Sequence, residues 1–180
     1  MSFSPTGEDE ALLVAEIISG NRELFRLLIE RHQQGVHAMG MGFFHNSEDA
    51  ADFTQDVFLK AYRGLSAFKG DSRFSTWLYS IAYNTAVNGI KRRREYRSLA
   101  EEDALDEVSP ESEALRRAVK QAVLGAVADL PEKYRVCVDL YFFYERSLLE
   151  IEKITGFPLN TVKSHLFRAK KLLREKLEGF

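Results

Sequence analysis

Several features that small proteins commonly lean on are scarce in this 180-residue chain. Its one cysteine, Cys137, cannot form an internal disulfide, which fits a reducing compartment. Cys137 stands between Val136 and Val138 in an apolar helical pattern, so a buried structural thiol is expected rather than a nucleophile. The four histidines (His32, His37, His45 and His165) show no ligand spacing with the cysteine or with a carboxylate cluster. Neither a metal site nor a cofactor is expected. No Gly-rich phosphate loop and no nucleophile elbow occurs, so no catalytic residue and no small-molecule substrate is assigned, and the chain is not read as an enzyme. No run is long and apolar enough to cross a membrane, and the N-terminus lacks the basic-then-apolar layout of a signal peptide. Strand alternation is almost absent, and the periodicity is helical throughout, so the expected fold is all-α.

An excess of one charge is also missing: the net charge is −2, which gives no global basic signal for nucleic acid. The average conceals a partition. From Ser98 to Ala114 there are seven acids (Glu101, Glu102, Asp103, Asp106, Glu107, Glu111 and Glu113) and no Lys or Arg. From Leu115 onward thirteen basic residues face eight acidic ones. A one-signed polar stretch containing Ser109-Pro110 between two apolar-periodic halves reads as a flexible linker. The expected organisation is two small helical domains, 1–97 and 115–180, joined by an acidic linker at 98–114. With 45% hydrophobic residues, both can bury a core.

The C-terminal segment reads as a helix-turn-helix. Ser147-Leu148-Leu149-Glu150 has the spacing of a capping box, and a short helix follows to Thr155. Gly156-Phe157-Pro158 breaks it, and a second helix runs from Leu159 to about Leu177. On that helix Val162, Leu166, Ala169, Leu173 and Leu177 share an inward face. Asn160, Thr161, Ser164, Phe167, Arg168 and Lys171 fall opposite, with Lys163, Lys170, Arg174 and Lys176 flanking them. Hydroxyl, amide and guanidinium groups bond base edges and phosphates, and Phe167 suits a thymine methyl. The competing reading is an amphipathic helix with a solvated basic side.

In the N-terminal half, helices are expected over Asp9–Ile18, Arg22–Gly40, Glu48–Gly64 (capped by Ser47) and Thr76–Arg97 (capped by Ser75). The third divides cleanly. Ala50, Phe53, Val57, Phe58 and Ala61 cover one side, and Asp49, Asp52, Gln55 and Asp56 share the other with Leu59 in their midst. The spacing suggests no intrahelical ion pair for these acids. Either they form a solvated face or, with Leu59 as an apolar anchor, a protein-binding one. The fourth helix sets Ser80, Asn84, Asn88 and Lys91 on one face and ends in Arg92, Arg93, Arg94 and Arg97. Amides at one-turn spacing leading into cations suit base reading with phosphate anchors, or else a solvated helix end whose cations answer the dipole. The loop from Leu65 to Phe74 carries Phe68 and Phe74, on which an unstacked base could rest. Phe74, Trp77 and Tyr79 could equally be core.

These residues carry a resemblance. Asp52-Phe53-Thr54-Gln55-Asp56-Val57-Phe58-Leu59-Lys60-Ala61-Tyr62, Phe74-Ser75-Thr76-Trp77-Leu78 and Ile81-Ala82-Tyr83-Asn84 resemble region two of bacterial RNA polymerase sigma factors of the extracytoplasmic-function group. Leu130-Pro131 through Arg135, Glu150-Ile151 and Thr161-Val162-Lys163-Ser164 through Arg168-Ala169 resemble region four. The resemblance implies a region-two helical bundle and a region-four helix-turn-helix. It implies that Asp49, Asp52, Gln55, Asp56 and Leu59 dock on the β′ clamp helices of core polymerase, with the β flap as a further contact. It implies that Phe68, Phe74, Ser80, Asn84, Asn88, Lys91 and Arg92 meet the promoter −10 element. Asn160, Thr161, Lys163, Ser164, Phe167, Arg168 and Lys171 would then meet the −35 element. An anti-sigma protein is the implied regulator of a stress- or envelope-responsive factor, and the implied location is the cytoplasmic nucleoid, or the membrane vicinity when the regulator holds it. Three departures stand out: Glu152 where a small Ala is usual, His165 at the edge of the reading helix where Arg is frequent, and Ser80-Ile81 near where housekeeping sigma factors carry a pair of tryptophans. The alternatives are a helix-turn-helix regulator acting without polymerase and, with no residue constellation in its favour, a helical interaction module or enzyme.

Overall fold

The computed structural model describes residues 7–97 and 122–178, with side chains over 9–90 and 122–178. Every regular element among them is helical, and the chain clusters into two compact units that part near Tyr96. The linker expected at 98–114 falls outside the described residues.

In the first unit, α1 spans Gly7–Ile18, α2 Phe25–Phe44, α3 Ser47–Gly64 and α4 Phe74–Arg97. A 3-10 turn, Arg22–Leu24, leads into α2. That helix was expected to stop at Gly40; it runs one turn further and ends where His45 takes a left-handed conformation at φ 54°. Gly40 serves packing instead. A Cβ there would lie 2.7 Å from Phe53 Cδ1 and 3.1 Å from the Cα of Ala50, so only glycine lets α2 and α3 approach this closely. The cap of α3 is Asn46 rather than Ser47: its Oδ1 accepts from the amides of Glu48 at 2.8 Å and Asp49 at 3.0 Å. Ser75, the expected cap of α4, lies inside the first turn and is buried.

The core of this unit follows the apolar periodicity. Leu28, Val36, Ala50, Val57, Ala61, Leu78, Ala82 and Ala86 are inaccessible. Helix α1 is tied down by a largely buried polar pair, His32 Nε2 and Glu10 Oε1 at 2.8 Å.

In the second unit, helical residues 122–128 form α5, followed by α6 (Glu132–Val138), α7 (Leu148–Thr155) and α8 (Leu159–Leu177). A π turn at Asp139–Phe143 extends α6 and leaves Tyr141, Phe142 and Phe143 exposed. The capping box of α7 is complete: Ser147 Oγ accepts from the Glu150 amide, and Glu150 Oε2 accepts from the Ser147 amide. Gly156 closes α7 at φ 73°, a conformation cheap only for glycine, and Pro158 precedes α8. Val136, Cys137, Leu140, Ile151, Val162, Leu166 and Ala169 form the core, with Leu173 and Leu177 half-buried at its edge.

Candidate functional site

On α3 the buried stripe is Ala50, Phe53, Val57, Phe58 and Ala61. It forces the intervening residues outward. Asp52, Gln55, Asp56 and Leu59 are exposed, Leu59 by 47%, while Asp49 in the first turn is half-buried. One expectation fails here: Asp56 does pair within the helix, with Lys60 Nζ 2.7 Å from its Oδ2. The pair is exposed, so it contributes little stability, but it orients Asp56. Lys60 also reaches the Thr85 hydroxyl of α4 at 3.2 Å.

Two depressions flank this face. On one side α2 and α3 open a groove of about 850 Å³, mostly apolar, walled by Phe25, Ile29, Phe58, Leu59 and Tyr62 with Gln55 at its lip. Phe25 meets Tyr62 edge-on at 5.0 Å between ring centres. Residue order does not assign this groove, which exists only where α2 and α3 meet. Tyr62, exposed at the end of α3 and one turn beyond Leu59 and Phe58, was the available signal. On the other side, a polar depression of about 310 Å³ is lined by Asp49, Asp52, Asp56, Lys60, Thr85 and Asn88. Asn88 thus stands beside three carboxylates, not only on the α4 face.

Among the residues expected to meet the −10 element, Asn84 and Asn88 are exposed on α4. Ser80 is half-buried and donates its hydroxyl to the Trp77 carbonyl at 2.7 Å, so that proton is already engaged. Phe68 is half-buried, 5.9 Å from Phe74 and 5.4 Å from Trp77 between ring centres. Phe74 requires a correction. It is 1% exposed and packs against His32 as well as Phe68 and Trp77, so it is core and has no face to offer a base. The aromatic loop residue that remains partly accessible is Phe68. The side chains of Lys91, Arg92, Arg93, Arg94 and Arg97 lie outside the described ones.

On α8 the residues expected to meet DNA share the outer surface. Asn160, Lys163, Ser164, Phe167, Arg168 and Lys171 are exposed, Phe167 by 73%, and Thr161 is half-buried. Lys163, Ser164, Phe167 and Arg168 line one shallow depression of about 450 Å³. Ser164 donates to the Asn160 carbonyl at 2.8 Å. Arg168 Nη1 lies 3.5 Å from the Tyr134 hydroxyl, at the limit of a hydrogen bond, and that contact is the leading reason the Tyr134 phenol sits below its ordinary pKa. Tyr134, on α6, was not anticipated. Lys171 has Glu175 at 3.9 Å.

His165 does not stand at the edge of this surface. It is 8% exposed, its ring 5.2 Å from Tyr134 and 5.1 Å from Phe157 between centres, with Nδ1 3.8 Å from Cys137 Sγ. Burial, reinforced by Lys133 and Arg168, lowers its pKa, so the ring is neutral near pH 7. Burial pushes the Cys137 thiol up to about 11, which leaves it protonated and a poor nucleophile, as its apolar setting suggested. Glu152, another of the three departures, accepts the Leu159 amide at 2.8 Å. Among the described residues no group of His, Cys, Asp or Glu is gathered in a way that would hold a metal ion, and no helix is long and apolar enough to cross a membrane.

The Sigma-70 region 2 family model matches residues 28–96, and the Sigma-70, region 4 model matches residues 120–173. The chain is 34% identical to the RNA polymerase sigma-H factor of Pseudomonas aeruginosa, over 96% of either protein. It is 35% identical to the ECF RNA polymerase sigma-E factor of Escherichia coli K12, over 94% of either. Among solved structures, CnrH in complex with the cytosolic domain of CnrY aligns with a TM-score of 0.69 at 23% identity, covering 93% of this chain and 96% of that one. The sigma factor RpoE of Bartonella quintana, in complex with the anti-sigma factor NepR, aligns with a TM-score of 0.70 at 23% identity, over 86% and 96%. At that identity the structural likeness is one of fold.

Proposed function

The chain belongs to the RNA polymerase sigma factors of the extracytoplasmic-function group, and on that premise we propose how its surfaces divide the work of promoter-specific initiation. Sigma factors of this kind bind core polymerase and direct it to promoters. The α3 surface of Asp49, Asp52, Gln55, Asp56 and Leu59 is the core-polymerase face, and the β′ clamp helices are its counterpart. The observation that carries this assignment is the arrangement around Leu59: an exposed apolar side chain among carboxylates, bordering an apolar groove of about 850 Å³. A merely solvated acidic face has no need of such a groove, whereas a protein partner with apolar and basic groups fits both parts.

Helix α4 and the loop before it address the −10 element through Phe68, Asn84 and Asn88, followed by the cations from Lys91 and Arg92 onward. Ser80 takes part only if its bond to the Trp77 carbonyl is exchanged. Helix α8 reads the −35 element through Asn160, Thr161, Ser164 and Arg168, with Lys163 and Lys171 on phosphates and Phe167 against a base methyl. The domain limits 1–97 and 115–180 and the linker 98–114 belong to this reading. So do a cytoplasmic setting at the nucleoid, the lack of any reaction catalysed by the chain itself, and contact with the β flap. Regulation by an anti-sigma protein is proposed from the company of the structural relatives, one of which, RpoE of Bartonella quintana, is by its description a complex with an anti-sigma factor.

The test is run-off transcription with the purified chain and bacterial core polymerase on fragmented genomic DNA, with transcript starts sequenced. Discrete chain-dependent starts sharing two spaced upstream motifs are expected. Specific binding of the free chain to duplex DNA at physiological salt, with no chain-dependent starts, would favour a regulator acting without polymerase.

A further inference from the structure

Helix α8 begins without a cap of its own. The residue before it is Pro158, which has no side-chain acceptor. An α-helix leaves its first amides without intrahelical partners. Those of Thr161 and Val162 reach back to the Pro158 carbonyl, at 2.7 and 3.0 Å. The Leu159 amide is bonded differently: it donates to Oε1 of Glu152, in α7, at 2.8 Å. The Glu152 carbonyl in turn accepts the Gly156 amide at 2.8 Å. One residue therefore ends the first helix with its backbone and starts the second with its side chain. The bond is charge-assisted, and the carboxylate stands at the positive end of the α8 dipole, so both terms favour it. Glu152 is half-buried, which shields the contact from competing water.

We infer that Glu152 is a positioning residue for promoter readout: its carboxylate clasps the first amide of α8, fixes that helix against α7, and so sets where Asn160, Thr161 and Ser164 meet base edges. The inference rests on the proposed −35 role of α8. Three residues, Gly156, Phe157 and Pro158, separate the two helices. Of the reading residues, Asn160, Thr161 and Ser164 lie within about a turn and a half of Leu159. Hydrogen bonds to bases lose strength steeply with distance and angle, so a tilt at the start of the helix is felt first by those residues. Glu152 itself touches no base. Its effect is on discrimination between sequences, and the sequence-independent attraction of Lys163 and Lys171 for phosphate is unaffected.

The experiment uses the full chain with core polymerase and two probes: a promoter fragment mapped by run-off with the unaltered chain, and the same fragment with its upstream motif scrambled. The ratio of transcripts measures discrimination. Glu152→Ala is expected to lower that ratio by about tenfold while transcription from the scrambled fragment holds. Glu152→Gln retains an acceptor oxygen and is expected to stay within about twofold of the unaltered chain. A purely structural loss would depress both fragments together, which overturns the inference. So would an Ala variant that keeps the ratio, or a Gln variant that loses as much as Ala. Should the Ala variant fail to fold, amide exchange at Leu159 in the unaltered chain decides: protection is expected, and exchange at the open rate overturns the clasp. If the unaltered chain does not discriminate between the fragments, the −35 role of α8 falls, and the inference falls with it even where Leu159 is protected.

Discussion

Helices α3 and α8 are near equals in length, 18 and 19 residues, and each buries one stripe and exposes the other. Their exposed stripes are chemically opposite. The α3 stripe is acid and amide around Leu59, and an apolar groove lies beside it. The α8 stripe is hydroxyl, amide and cation around Phe167, beside a smaller depression of about 450 Å³. Leu59 stands out of the one and Phe167 out of the other, yet the surroundings assign them different partners. Carboxylates repel a phosphate backbone, and cations spaced along a helix attract one. The same amphipathic plan serves a protein partner in one unit and DNA in the other. Net charge averages the two faces away, which is why a total of −2 is silent about nucleic acid.

The comparison breaks most completely by inverting one side of it. Charge reversal at Asp52 and Asp56 to Lys is expected to abolish co-purification with core polymerase, with helical circular dichroism unchanged because both side chains are exposed. Retention of the variant on core polymerase would remove α3 as the docking face. On the other side, Arg168→Ala is expected to weaken −35 recognition by about 1–3 kcal/mol while core binding stays intact. Footprinting of the assembled complex reads this directly. An unchanged promoter preference would leave Arg168 with a backbone contact, or with no role beyond its touch on Tyr134.

A third substitution asks whether the α3 face depends on its seating against α2. Gly40→Ala places a methyl within 2.7 Å of Phe53 and 3.1 Å of the Ala50 backbone. The expected cost is about 1–3 kcal/mol, read as a lower melting temperature, because a backbone neighbour cannot rotate away. An unchanged melting temperature would mean that α2 and α3 part without penalty.

The smallest effect separates the units by pH. Burial pushes the Asp139 carboxyl, in the second unit, up to about 6 against the opposing attraction of Arg135. The folded chain thus keeps this proton to higher pH than the unfolded chain, whose carboxyl titrates near 3.8. Stability from this group falls as pH rises from about 4 to 6 and stays lower above. Asp139→Asn, which cannot ionise, is expected to stabilise the second unit by about 1–2 kcal/mol at pH 7.5 and by little at pH 4. Equal shifts at the two pH values in thermal unfolding would contradict the assignment.

Much of this arrangement was legible in the residue order, where the signal is local. The Ser147–Glu150 box, the Gly156 stop and the inward stripe of α8 each depend on residues a few positions apart, and each appears as spacing predicts. Misreadings arose where a partner distant in sequence decides. Gly40 reads as a helix end until Phe53 and Ala50 are brought against it. Phe74 reads as part of an exposed loop until His32, from another helix, stacks at 5.6 Å. His165 reads as a surface position until Tyr134 and Phe157 enclose it. The cap at Asn46 was a near miss between two adjacent good caps. The left-handed turn at His45 decides it, since it starts the helix one residue sooner. The Asp56–Lys60 pair is the exception, since its signal, the four-residue spacing, is purely local. The α2–α3 groove left only the exposed Tyr62 as a local signal, because a groove is a property of two helices together.

The most direct test of the division between the two faces is crosslinking within an assembled initiation complex. A photoreactive side chain replaces Leu59 in one preparation and Phe167 in another, each with core polymerase and a mapped promoter. The account predicts that the Leu59 position labels the β′ subunit and the Phe167 position labels upstream promoter DNA. Labelling of DNA from the Leu59 position, or of polymerase alone from the Phe167 position, would contradict it.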